Sequence, residues 1–219
     1  MKYKYILFDY DNTTVDSLKW WHKVMKKECF YYYGLKPNKK YLRGFANKTN
    51  NQKADLFIQT TGVDATVPDI RELWDSKMAN YYLTKVKLLK GIKPFLNFLK
   101  AKKYKILLVT ASEYDVVAES LKNYGLDGYY GEIITETAMG YPKSDVRFFK
   151  KLLTKLNVSP DKVIFFEDFA ESVENATLMG IDCVGVKHSI NRKKHWKLHK
   201  FAKLVIKNYK NKKRRLDNM

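Results

Sequence analysis

Tyr5–Ser17 reads YILFDYDNTTVDS, and the fold turns on how this stretch is read. Tyr5, Ile6, Leu7 and Phe8 form a short apolar run, which predicts a buried strand. The run stops on acids, with Asp9 and Asp11 two residues apart at the expected C-terminal end. If the extended geometry persists, a period of two puts both carboxylates on one side. Two carboxylates held together repel each other unless a cation or a proton lies between them. Mg²⁺ meets that need, because it prefers oxygen ligands and keeps waters for a substrate phosphate. Asn12, Thr13 and Thr14 follow as a turn whose hydroxyls and backbone N–H groups can bind phosphate oxygens. Taken alone, the stretch is equally a strand ending in an ordinary polar turn, so the rest of the chain decides.

Working outward, residues 16 to about 86 carry helical patterns only. Leu18, Trp21, Met25, Cys29 and Tyr32 mark one face of a helix that Gly34 ends. Lys40 to Asn51 predicts a polar, Asn-rich loop around Arg43 and Gly44, and Ala54 to Thr61 a short helix. Thr66, Val67 and Pro68 make a helix start, with Ile70, Leu73, Trp74, Met78 and Tyr81 as its apolar face. Beyond residue 86 the pattern alternates. Strands are predicted at Tyr104 to Val109, Glu132 to Thr135, Lys162 to Phe166, Cys183 to Val186 and Leu204 to Ile206. Helices are predicted from Ile92 to Leu99, Tyr114 to Tyr124, Asp145 to Leu156 and Ala170 to Met179. Alternation of fully apolar strands with helices predicts an α/β, Rossmann-like parallel sheet covered by helices on both faces. Ligands in such sheets bind at the carboxyl ends of the strands. Asp9, Asp11, Thr110, Glu167 and Asp168 all fall at such ends, a coincidence that argues for a site there.

Composition sets the outer bounds. The 219 residues suit one domain, or one domain with an inserted second unit, and 45% hydrophobic content is enough for a core. With no run of eighteen apolar residues and no signal peptide, the expectation is a soluble, cytoplasmic protein without a membrane partner. Cys29 and Cys183 are read as buried thiols. A formal charge of +19 favours polyanions, but the lysines are spread over nearly every segment, as on a solvated surface. The exception is the basic C-terminus, with KNKKRR over Lys210 to Arg215, read as a disordered tail over 210–219. Nucleic acid is a candidate partner through this tail and the basic surface, although no recognised nucleic-acid module accompanies it. His195 and His199 could share a helix face, without the further ligands a zinc site needs.

With these residues in place, the chain resembles the haloacid dehalogenase superfamily of phosphohydrolases. The resemblance is to the branch with a helical cap inserted after the first strand, and it covers Tyr3 to about Tyr209. It rests on Asp9-Tyr10-Asp11-Asn12-Thr13 with Asp16-Ser17, on Thr110 ending an apolar strand, and on Glu167-Asp168 after VIFF. The implied organisation is a core of residues 1–15 and 87–209 and a cap of 16–86. The resemblance implies that Asp9 is the nucleophile, forming an aspartyl-phosphate, and that Asp11 is the general acid and then the base. Mg²⁺ is implied at Asp9, the backbone carbonyl of Asp11 and Asp168, with Glu167 direct or through water. Thr110 is implied to hydrogen-bond a phosphoryl oxygen, beside the Asn12-Thr13 turn.

There are three departures from the family pattern. Asn12 stands where Gly is usual, and Asn tolerates a left-handed backbone. Tyr141 stands at the usual lysine position before Pro142, so Lys143 or Arg147 would have to balance the phosphate charge. Phe169 and Ser172 replace the usual Ser and Gly of the last motif. Arg43, with Lys48, lies where the cap's specificity loop would face the substrate. The resulting expectation is a Mg²⁺-dependent phosphomonoesterase acting on a small phosphorylated metabolite. The alternatives are a nucleotide or nucleic-acid-end phosphatase, a phosphomutase, or a catalytically weak binding protein that keeps the fold.

Overall fold

The computed structural model describes residues 2–44, 48–188 and 195–210. The chain divides into two compact units: one holds the residues up to Asp16 and those from Lys87 on, and the other is Ser17–Val86.

The first unit is built on a six-stranded sheet, all of its pairings parallel, in the order β3-β2-β1-β4-β5-β6. Its strands are β1 (Tyr5–Phe8), β2 (Lys105–Thr110), β3 (Ile133–Thr135), β4 (Val163–Glu167), β5 (Asp182–Val186) and β6 (Leu204–Ile206). β1 and β4 are buried along their whole length, and β2 is buried from Ile106 on. That burial explains their unbroken apolar sequences. Alternation sorts the side chains between the two faces. On one face, Leu7, Val109 and Phe165 join a core with Phe148, Phe149 and Val173. On the other, Phe8 stacks on Phe166 at 4.6 Å, against Phe95 and Tyr209.

Because α helices must supply the crossovers, each is amphipathic and ends where the sequence allows. Ile92, Phe95, Leu96 and Leu99 form the buried face of the helix Ile92–Ala101, as their spacing predicts. The helix Val146–Leu156 starts on Asp145, whose side chain accepts from the Arg147 N–H, and stops at Asn157 in the left-handed conformation. Tyr114–Asn123 and Ala170–Leu178 complete the set of longer helices. Two short helices, Glu136–Met139 and His195–Phe201, lie outside the predicted elements.

Within Ser17–Val86 the described elements are all helices, with four corrections to the sequence-based expectation. Leu18–Lys23 runs through a π turn, Val24–Glu28, into Cys29–Tyr32. A π turn inserts an extra residue, so the buried face shifts. Cys29 and Phe30 are buried, whereas Tyr32, expected on that face, is 62% exposed. The predicted loop from Lys40 is in fact helical over Lys39–Gly44, where Tyr41 buries its ring between Phe30 and Phe57 at 5.3 and 5.7 Å. The next helix, Asn50–Thr61, begins earlier than expected, because Thr49 and Gln52 form a reciprocal capping box. In Val67–Thr84, Tyr82 rather than Tyr81 completes the buried face with Ile70, Trp74 and Met78. Tyr81 instead stacks on Trp20 at 4.7 Å. No helix of the described residues is long and apolar enough to cross a membrane.

Candidate active site

Strand register brings the acids together. Phe8 of β1 pairs with Phe166 of β4, and the Asp9 N–H donates to the Phe166 carbonyl at 2.9 Å. Asp9 therefore leaves its strand beside Glu167 and Asp168. One carboxylate oxygen from each of Asp9, Glu167 and Asp168 lies within 4.8 Å of the other two. Asp9 and Glu167 are buried, at 4% and 1% exposure, and Asp168 keeps a partly exposed edge.

Lys143 enters this cluster from the loop before the helix Val146–Leu156. Its ammonium donates to Asp9 Oδ1 and to the Val109 carbonyl at 3.3 Å, and lies 2.8 Å from Glu167 Oε2. The loop is held by the Lys143 N–H, which donates to Glu136 Oε1 at 2.7 Å. Of the two candidate cations, Lys143 and Arg147, Lys143 is the one placed against Asp9 and Glu167. Arg147 is paired with Asp145 at 2.5 Å and lies over the Tyr141 ring at 4.6 Å. Tyr141 holds no ammonium, but Lys143 bridges the two residues of offset.

The electrostatics follow from burial. Loss of water pushes the Asp9 carboxyl well above the usual carboxylate range; Glu167 and Asp11 push the same way and Lys143 only partly opposes them. The Asp168 carboxyl is likewise raised, first by burial and then by Glu167 and Asp9. Burial works against the Lys143 charge, but Asp9, Glu167 and Glu136 outweigh it and hold the ammonium charged. Three acids thus share one ammonium, an imbalance that a divalent cation would correct. The donor set fits such an ion. Glu167 Oε1 accepts from the Asp168 and Phe169 N–H groups, each at 2.9 Å. Its Oε2 meets Lys143 as an ion pair outside hydrogen-bond angles, which leaves a buried oxygen without a hydrogen bond. Among the described residues, the carboxylates of Asp9, Glu167 and Asp168 form a group that could hold a metal ion.

The turn after β1 is bound back on itself. Asn12 has φ 61°, the left-handed conformation for which the usual glycine is suited, and its carbonyl accepts from His188 Nε2. Burial pulls the His188 imidazole below its ordinary range. Thr13 is fully buried with its hydroxyl unpartnered, and Thr14 Oγ1 donates to the Asp9 carbonyl at 2.8 Å. Thr110, at the end of β2, accepts from the Ser112 N–H at 3.0 Å, so its hydroxyl proton is still able to donate. Asp11 does not join the three-carboxylate cluster; Ser112 Oγ donates to its Oδ2 at 2.7 Å. Arg43 is exposed on Lys39–Gly44 of the other unit. In the last motif, Ser172 is buried with its hydroxyl unpartnered. The basic tail lies outside the described residues beyond Lys210.

Sequence reasoning missed Ser112, Glu136, Tyr130 and His188. Ser112 carried a weak signal, being two residues past Thr110 where a hydroxyl readily folds back on a turn. Glu136, Tyr130, whose hydroxyl pairs with Thr14 Oγ1 at 3.1 Å, and His188 reach the site through contacts with no local pattern.

Comparison with known proteins agrees with this picture. The chain is 23% identical over 187 residues, 85% of its length and 86% of the relative's, to a phosphorylated carbohydrates phosphatase from Thermotoga maritima. It is 32% identical over 95 residues, 42% of each chain, to the GMP/IMP nucleotidase YrfG of Escherichia coli. A crystal structure of a putative β-phosphoglucomutase from Thermotoga maritima shares the fold, with a TM-score of 0.74 and 21% identity over 98% of both chains. Residues 6–186 match the family described as haloacid dehalogenase-like hydrolase, and the chain belongs to that family.

Proposed function

We propose that the protein is a Mg²⁺-dependent phosphoric monoester hydrolase that works through an aspartyl-phosphate on Asp9. The observation that carries this reading is the buried Asp9–Lys143–Glu167–Asp168 cluster, with Asp11 beside it on the same turn. The first half-reaction forms a bond between an Asp9 oxygen and phosphorus as the ester P–O bond breaks, and Asp11 protonates the leaving alkoxide. In the second, Asp11 takes a proton from water, the water oxygen attacks phosphorus, and Asp9 leaves as the free carboxylate with inorganic phosphate. Lys143 orients the Asp9 carboxylate and balances charge beside it. Thr110 donates to a phosphoryl oxygen. Bound Mg²⁺, held by Asp9, Asp168 and Glu167, would supply the positive charge that keeps the acids ionised and offsets the phosphoryl charge.

The substrate in this reading is a small phosphorylated metabolite of the sugar-phosphate class, supported by the Thermotoga phosphatase likeness over most of both chains. Residues 16–86 act as the cap, and Arg43 as a contact to the substrate from it. The likeness to a GMP/IMP nucleotidase favours a second reading, a nucleoside monophosphate, over the shorter matched segment. The completed lysine position argues against a catalytically silent fold. Hydrolysis of an aryl phosphate, with and without Mg²⁺, tests the reading in wild type and Asp9→Asn. Turnover that needs Mg²⁺ and falls by at least ~10²-fold in the variant is expected. A folded, Mg²⁺-bound wild type with no turnover of the aryl ester or of a panel of sugar and nucleoside phosphates would overturn it.

A further inference from the structure

Asp11 stands past the end of β1, where strand pairing no longer fixes a side chain. Its neighbours are nevertheless anchored. On the C-terminal side, Asn12 is locked by His188, and the Thr14 and Val15 N–H groups both return to the Tyr10 carbonyl, at 2.8 and 3.1 Å. On the N-terminal side, Asp9 is tied to β4. What remains is rotation about the side-chain bonds of Asp11 itself, and here Ser112 acts. Its hydroxyl donates to Asp11 Oδ2 at 2.7 Å while its own N–H donates to Thr110 Oγ1 at 3.0 Å. Ser112 is 4% exposed, so water competes poorly for either bond. One residue from the turn after β2 therefore joins the side chain assigned to bind the phosphoryl group to the side chain assigned to move its proton.

We propose that Ser112 is the positioning residue of the general acid: it holds the Asp11 carboxyl in the rotamer that reaches the leaving oxygen. With Oδ2 engaged by the serine hydroxyl, Oδ1 carries the proton to the departing alkoxide. The inference rests on the hydrolase reading above and adds a residue to it. Geometry is the reason it matters, since a proton donor works only within about 2.6–3.2 Å of the atom it serves. Without the Ser112 bond the carboxyl would sample staggered wells out of reach for more of its time. Thr110 is coupled to the same hinge, so the phosphoryl contact and the proton donor are set in register by one turn.

A leaving-group comparison separates this role from a merely structural one. An alkyl phosphate needs its leaving oxygen protonated, whereas a nitrophenyl phosphate releases a stable anion and depends far less on the acid. The ratio of kcat/KM for the alkyl ester to that for the aryl ester covers the steps up to alcohol release, so it reads the proton donor directly. In Ser112→Ala this ratio is expected to fall by about 10-fold or more, part of the ~10²–10⁴-fold that a positioned acid supplies. Ser112→Thr, which keeps the hydroxyl, should hold the ratio within about 3-fold of wild type. An unchanged ratio in Ser112→Ala, or an equal fall in both variants, would overturn the positioning role and leave the hydrolase reading standing. A wild type that turns over neither ester would overturn both.

Discussion

Replacing Lys143 by Met removes an ammonium within hydrogen-bonding reach of both Asp9 and the Val109 carbonyl while keeping much of the side-chain volume. The variant leaves Asp9, Glu167 and Asp168 packed within 4.8 Å of one another without it. Breaking a buried ion pair by removing one partner costs about 3–5 kcal/mol. For a unit of this size about 1 kcal/mol moves the thermal midpoint by ~2–4 °C, so the expected drop is roughly 6–20 °C at neutral pH. The pH dependence has a definite sign. Burial and neighbouring acids hold the Asp9 and Asp168 carboxyls above their unfolded values. Folding therefore takes up protons, and the cost is absent in acid and grows as pH rises through the ordinary carboxylate range. Lys143 opposes that rise in wild type, so the gap between variant and wild type should be largest near pH 7.5 and narrow toward pH 5. The assay is melting followed by circular dichroism, with a chelator present so that no divalent cation stands in for the lost ammonium. A variant as stable as wild type at pH 7.5, or a gap that does not narrow in acid, would refute the charge argument.

Three other expectations are independent of that one. Adding Mg²⁺ to the chelated wild type should raise its thermal midpoint, by about 2.7 kcal/mol equivalent at a hundredfold excess over Kd, and Asp168→Asn should largely abolish the rise. Gly91 has φ +84°, and a Cβ there would sit 2.8 Å from the Lys210 nitrogen and 2.9 Å from the Tyr209 carbonyl carbon. Gly91→Ala should therefore cost about 2–4 kcal/mol in urea unfolding, by backbone strain and by displacing the segment that carries Tyr209. His22 is held down to about 4, first by burial and then by Lys26 and Lys53, so the unfolded chain binds its proton first as pH falls below 6.5. The His22 contribution to stability should then decline as pH falls from 6.5 to 4, and His22→Gln should be relieved of about 1 kcal/mol of that loss at pH 5, allowing for solvent screening.

The core was legible because its strands are buried on both faces. An apolar run that stops on an acid or a hydroxyl needs no tertiary information, and Asp9, Thr110, Glu167 and Asp168 all reveal themselves in that way. Their convergence follows from parallel register alone, since Phe8 beside Phe166 brings Asp9 to Glu167. The π turn at Val24–Glu28 was not legible: one extra residue in a turn leaves no mark in composition, and it moved Tyr32 from the core to solvent. The helix around Tyr41 was hidden for a similar reason, its polar residues being organised by a single buried ring. Lys143 stayed one of two options because an ammonium on a flexible stem can reach across a two-residue offset, and the loop that carries it is held by a contact from Glu136, which no local pattern marks, as well as by its own turn. Ser112 and Asp11 are 101 residues apart, a separation over which sequence alone carries no pairing signal.

The central claim is that Asp9 carries the phosphoryl group. Borohydride reduces an acyl phosphate to an alcohol, so wild-type enzyme quenched with borohydride during turnover of a sugar phosphate should yield homoserine in place of aspartate at residue 9, read by peptide mass spectrometry. With a nitrophenyl phosphate, whose leaving group depends little on the acid, Asp11→Asn should increase the yield, because breakdown of the intermediate then lacks its base. Steady turnover with residue 9 unmodified in both proteins, or with the label on another carboxylate, would contradict the account.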